Sequence, residues 1–323
     1  MELRCRGCAG CCLDWRPLVG ADGRVGEPES GDGRVADVAD PAGGASEFED
    51  PNRGPFPSLD DVYNLVPLER DEVRAFVDDG LGDVLAPRLW AAGPDDPRVE
   101  VGDHRVAAVA GRPAFFVGLR KPPKPVAPFG REEPTWLPTC TFLDPETLQC
   151  RIHEDERYPA ECGAYPAHNL ALSRQTECER VEDATGEPRL LSVGDDDPTP
   201  PDDRLLLGPQ AIGGKVFCHP DPSEIEGAVD RLARGEATAA DRAAFVAVAA
   251  ASSPGMVEIS DRHYEEALER TIEASSWAGR AIEEWERLAE DAPADPSLAE
   301  RVETARGAPE TPGWEDLAGD PSG

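Results

Sequence analysis

Four cysteines fall within eight positions near the start of the chain, as Cys5-x2-Cys8-x2-Cys11-Cys12. Thiolates crowd this closely mainly to hold a soft metal ion or an iron–sulfur cluster. Cys5, Cys8 and Cys11 have the spacing by which ferredoxin-type chains wrap three corners of a [4Fe–4S] cluster, the fourth ligand coming from a distance. Zinc prefers separated pairs of the Cys-x2-4-Cys kind, and here one short-spaced group stands by itself. Spacing therefore favours an iron–sulfur cluster, with zinc as the alternative. Neighbours such as Cys11 and Cys12 point apart in extended backbone. Cys12 then either serves a second centre or is not a ligand.

Five further cysteines follow: Cys140, Cys150, Cys162, Cys178 and Cys218. Asp144-Pro145-Glu146-Thr147 is a turn sequence, so a strand holding Cys140 can fold back and bring Cys150 beside it. Pro159 and Pro166 bracket Cys162 and restrain its backbone. Cys178 and Cys218 are open between ligand and core. His153 and His168 flank the region and read as surface or core histidines before ligands. Cys218-His219 has the end of a haem-attachment motif, but Lys215 stands where its first cysteine is required. Gly213-Gly214-Lys215 is no phosphate loop, because Pro209 and Val216 replace the first glycine and the Ser/Thr.

The chain that must position these groups has 323 residues, with 65 acidic against 32 basic residues and a formal net charge of −33. Lysine is almost absent: Lys121, Lys124 and Lys215 are the three. Spread along the whole length, this acidity reads as halophilic adaptation to a salt-loaded cytoplasm, where screening lengths of ~3 Å at 1 M cancel self-repulsion. The longest apolar run, Ala243 to Ala251, is far too short to cross a membrane. The N-terminus carries no apolar signal segment. In a reducing cytoplasm, nine cysteines are better explained by metal than by disulfides. The acidic surface speaks against nucleic acid as a partner.

The expected fold class is α+β: a small cysteine-rich module of short strands and helices, covering 1–19 and 58–220, and a helical C-terminal region over 221–306. Residues 20–57 read as an acidic, disordered insertion and 307–323 as a flexible tail. Helices are expected over Glu69–Val77 and Leu81–Trp90, and a hairpin pairs Arg105–Ala110 with Ala114–Leu119. An acidic Pro-rich loop covers Asp195–Asp203. Ser223–Arg234 is expected as a helix capped by Ser223 with Glu226. Thr238–Ala251, a long segment from about Asp261 to Glu290, and Ser297–Arg306 follow as helices. Their thin, alanine-rich apolar faces predict that this region loosens first as salt falls.

The run of motifs resembles the YkgJ family of cysteine-cluster proteins, also described as a zinc- or iron-chelating domain. The resemblance rests on Cys5-x2-Cys8-x2-Cys11-Cys12, Cys140-x-Phe-Leu, Cys150-x-Ile-His, Pro159-x-x-Cys162 and Tyr165-Pro166. Tyr158 stands where that family carries Arg before the Pro, and Gly163 where it carries Arg after the third downstream cysteine. The resemblance implies a metal site on Cys5, Cys8, Cys11, Cys12, Cys140, Cys150 and Cys162. That family includes flagellin lysine N-methylases, so an oxidoreductase or lysine methyl transfer activity is one expectation. A zinc-stapled structural module whose helical C-terminal region docks a protein partner is another, and metal delivery or storage a third. No Gly-rich nucleotide loop follows a strand, and the titratable groups beside the cysteines are too few to name a general base.

Overall fold

The computed structural model describes residues 2–20, 22–26, 56–153, 155–192, 214–253 and 257–312. Most of the expected insertion, the 195–203 loop and the tail from residue 313 lie outside them. The fold is mixed α+β with antiparallel sheets. In chain order the elements are β1 (Glu2–Leu3), α1 (Arg70–Asp78), β2 (Leu85–Leu89), β3 (Arg98–Val101), β4 (His104–Val109), β5 (Arg112–Leu119), β6 (Pro123–Val126) and β7 (Thr135–Pro138). Short helices α2 (Ala160–Ala164) and α3 (Ala167–Ala171) precede α4 (Glu177–Thr185), β8 (Leu190–Ser192) and β9 (Phe217–Cys218). The C-terminal part holds α5 (Glu226–Ala233), α6 (Ala239–Ala251), α7 (Asp261–Glu273), α8 (Trp277–Asp291) and α9 (Leu298–Val302).

β5 is the hub. It pairs with β2, β4 and β9, and from Pro113 to Leu119 every residue is buried. The β4–β5 hairpin turns at Ala110 and Gly111, both at positive φ, the turn geometry that matches strand twist. α6 lies against this sheet, with Phe245 edge-on to Phe115 at a centroid distance of 5.0 Å. One apolar cluster runs from Cys8 and Trp15 through β5 to Phe245–Ala250 and Ile282.

Three expected elements differ. Leu81–Trp90 is a 3-10 turn over Gly82–Val84 followed by β2. Its apolar residues are buried as expected, but Pro87 cannot donate within a helix, whereas an edge strand tolerates it. Asp221, not Ser223, caps the turn before α5, and the helix starts at Glu226. The Asp261–Glu290 segment breaks at Ala274–Ser276, because Ser276 caps α8 and its hydroxyl also bonds Asp83 Oδ1 at 2.7 Å. Among the described residues, no helix is long and apolar enough to cross a membrane.

A buried ionic latch joins the C-terminal segment to the cysteine region. Lys124 Nζ donates to the carbonyls of Thr141 (2.7 Å) and Leu143 (2.8 Å) and pairs with Glu303 at 2.5 Å, both side chains being almost fully buried. Arg151 holds the other Glu303 oxygen at 2.7 Å and Asp144 at 3.0 Å. Trp285 Nε1 donates to the same carboxylate.

Candidate metal centre

The first turn of the site is built by backbone that few residues adopt. β1 pairs with β8, and Arg4 N–H donates to the Arg189 carbonyl at 2.8 Å. Gly7 (φ 70°) and Ala9 (φ 54°) then reverse the chain, so that Cys8 N–H reaches the Cys5 carbonyl (2.9 Å) and Cys12 N–H that of Ala9 (2.8 Å). The left-handed conformation at Ala9 costs about 1–2 kcal/mol. Gly10 allows the 3-10 turn Gly10–Cys12 to press onto α4, since a Cβ there would sit 2.8 Å from Val181 Cγ2.

The downstream cysteines arrive by separate routes. Cys140 N–H donates to the Cys12 carbonyl at 2.7 Å, and Leu13 bridges Thr139, so the first turn and the end of β7 lie side by side. Asp144 Oδ1 accepts from the amides of Glu146 and Thr147, closing the expected turn and pairing Leu143 with Cys150. Pro159 begins α2, which carries Cys162, and the Ala160 amide is fixed by Glu72 of α1 at 2.7 Å. Cys178 sits in the first turn of α4 behind the Thr176–Glu179 capping box. Glu177, wholly buried, receives the Trp15 indole and the Tyr63 hydroxyl, locking α4 to the first turn. Burial pushes the Glu177 carboxyl above its ordinary value.

These segments enclose a cavity of about 470 Å³ lined by all seven cysteines predicted as ligands, together with Cys178. Cys5 is exposed, Cys8 and Cys140 are buried, and the rest are half-buried. Apolar walls come from Leu119, Phe142, Leu143, Leu148 and Ile152. Among the described residues, no three His, Cys, Asp or Glu side chains form a ready-made metal position. The thiols share a cavity without a completed coordination sphere.

Their electrostatics are strongly coupled. Burial raises Cys8 to about 11, opposed by the Gly10 amide and Arg189. Burial and then Cys140 raise Cys150 to about 12. Cys12 and Cys162 are pushed well up by burial and by neighbouring thiols, while Lys121 pulls Cys12 back. Interaction with the Cys178 thiol, ahead of burial, raises Cys11 well above its ordinary value, and the same interaction lowers Cys178.

The chain's three lysines all gather near this wall. Lys121 acts on Cys12, Lys124 acts on Cys150 from the latch, and Lys215 pairs with buried Glu161, next to Cys162. In a chain of net charge −33 this concentration of cations is a feature that sequence reasoning missed. His153 is exposed at the cavity edge, and His168 Nδ1 lies 3.2 Å from Glu161 Oε2. Cys218 lies on β9 and does not line the cavity. A shallower groove of about 550 Å³ between the end of α1 and the α7–α8 connection carries no thiol.

No curated protein and no solved structure matches the chain. A family model described as "Family of unknown function (DUF7531)" matches residues 1–315, and the chain belongs to that family.

Proposed function

We propose that the cavity is a metal centre, an iron–sulfur cluster or zinc, in a cytoplasmic cysteine-cluster protein of YkgJ type. The observation that carries this reading is the meeting of the two distant cysteine groups in one apolar-walled cavity. The donor set fits a soft metal: thiols dominate, and the nearby carboxylates Glu161 and Glu177 are engaged by Lys215 and by Trp15 and Tyr63. Bound iron–sulfur would supply electron transfer or substrate anchoring, and bound zinc a structural staple. The chain's own part is to hold thiolates in an apolar setting and to offset their charge with Lys121, Lys124 and Arg189. Oxidoreductase or lysine methyl transfer activity rests on the family resemblance alone.

The zinc-staple reading draws on the latch. Lys124 and Arg151 fasten the Cys140–Cys150 hairpin to Glu303, making the cysteines part of the frame that carries the C-terminal helices. A partner-docking role for those helices belongs to that reading. Purification without oxygen at molar salt decides the matter. Brown protein with iron and sulfide in comparable amounts supports a cluster, and colourless protein with stoichiometric zinc supports the staple. Failure to take up either metal after reconstitution overturns both.

A further inference from the structure

We propose that the cavity holds two separate four-thiolate centres, one on Cys12, Cys140, Cys150 and Cys162, the other on Cys5, Cys8, Cys11 and Cys178. This rests on the metal reading above and deepens it: Cys178 becomes a ligand, and the fourth corner for the Cys5-Cys8-Cys11 group.

The backbone makes the division. Cys11 and Cys12 are consecutive on a 3-10 turn, where successive side chains diverge by about 120°. The Cys12 side of the turn is tied to the Cys140 amide at 2.7 Å. The Cys11 side faces α4, held there by the close approach of Gly10 to Val181, and Cys178 in the first turn of α4 lines the same cavity. The thiols sort in the same way. Cys12 and Cys162 each interact with Cys140 and Cys150, and the strongest thiol neighbour of Cys150 is Cys140. For Cys5, Cys8 and Cys11 that neighbour is Cys178.

Charge follows the same line. A divalent ion, or a doubly charged cluster core, on four thiolates leaves a net charge of about −2, which a partly buried site must offset. Lys121 and Lys124 act on the first group through Cys12 and Cys150, and Arg189 acts on the second through Cys5 and Cys8. Cys178 also lies in the first turn of α4, where the helix dipole favours a thiolate.

Cobalt(II) is the probe, titrated anaerobically into metal-free full-length protein at molar salt, with the sulfur-to-cobalt charge-transfer and tetrahedral d–d bands as readout. The wild type is expected to saturate at about two equivalents with thiolate-rich spectra. Cys178→Ser and Cys150→Ser should each lose about one equivalent, and the double variant both. Saturation of the wild type at one equivalent, abolished by either substitution, overturns the two-centre arrangement while leaving the metal reading intact. So does a Cys178→Ser protein that still takes two. Absence of any cobalt–thiolate band in the wild type fails the metal reading itself. Circular dichroism separates ligand loss from unfolding, and if the variants unfold, the wild-type stoichiometry decides.

Discussion

The cysteine cavity and the C-terminal helices are held by different forces. Around the cavity, secondary structure is short: two-residue strands, 3-10 turns and five-residue helices, brought together by long-range backbone contacts such as Cys140 to Cys12 and Arg4 to Arg189. None of these pieces is long, and each relies on partners distant in sequence; a group joining the thiols would contribute directly to folding. The C-terminal helices are longer, capped and packed. α6 is buried on almost every side from Ala243 to Ala251, and so belongs to the core rather than presenting the thin face its alanines suggest. The difference teaches where a ligand would matter: short segments that arrive separately gain most from a bound cross-link, long packed helices least.

The largest effect should come from removing a thiol. Cys8→Ser or Cys150→Ser should destabilise by several kcal/mol in metal-loaded protein, because site formation and folding are one equilibrium. Denaturant unfolding at molar salt, with and without a chelator, measures it. With two centres, Cys178→Ser should cost a similar amount, in place of the ~1 kcal/mol of an ordinary substitution. Equal stability of loaded and chelated protein would break the contrast between the two regions.

Next comes the latch that couples them. Glu303→Leu leaves the buried Lys124 charge without a counter-ion, while Arg151 keeps Asp144, and should cost about 3–5 kcal/mol. Lys124→Met in the same background should recover part of that loss, since one stranded charge is removed. A cost below ~1 kcal/mol would mean that water reaches the carboxylate and the regions are only loosely joined.

Sequence reasoning succeeded where a signal was local. The Asp144 turn, the β4–β5 hairpin, α1 and the Thr238-capped α6 are each encoded in a few neighbouring residues. It failed where a distant partner decides. The stripe over Leu81–Leu89 marks burial correctly, but pairing with β5 makes it a strand. Cys178 could not be told from a core cysteine, because the cavity it lines is built from segments far away in sequence. The gathering of all three lysines at the thiol wall likewise becomes visible only in three dimensions. That the seven predicted cysteines converge was legible through motif spacing and family resemblance together.

A smaller effect concerns acid. Asp241 accepts from Nε and Nη2 of Arg231 (2.7 and 2.5 Å) and from Thr238, and the arginine first of all holds its carboxyl below the ordinary 3.8. A depressed folded value stabilises the native state above the unfolded value, and this is lost as pH falls through the folded one. Asp241→Asn should therefore cost ~1 kcal/mol at neutral pH and progressively less below about pH 4. A constant cost across that range would show that the amide loses packing rather than charge.

The smallest effect is also the sharpest test of the comparison, because it separates α6 from α7 within one region. α7 buries only Ala267 and Thr271, leaves Ile272 53 % exposed, and carries Asp261, Glu265, Glu266, Glu269 and Glu273 against Arg262 and Arg270. Lowering salt lengthens the screening distance from ~3 Å at 1 M to ~10 Å at 0.1 M. Like charges along that helix then repel over more than one turn, opposed by the packing of its one inner face on α6. Hydrogen exchange during a salt titration should show α7 amides losing protection first, α6 amides holding with the core, and the cavity turns holding for as long as metal is bound. If α6 opens together with α7, the C-terminal helices act as one weak unit despite the burial of α6. If the Cys5–Cys12 turn opens before either, metal is not what supports the cavity, and the contrast between the regions fails at its root.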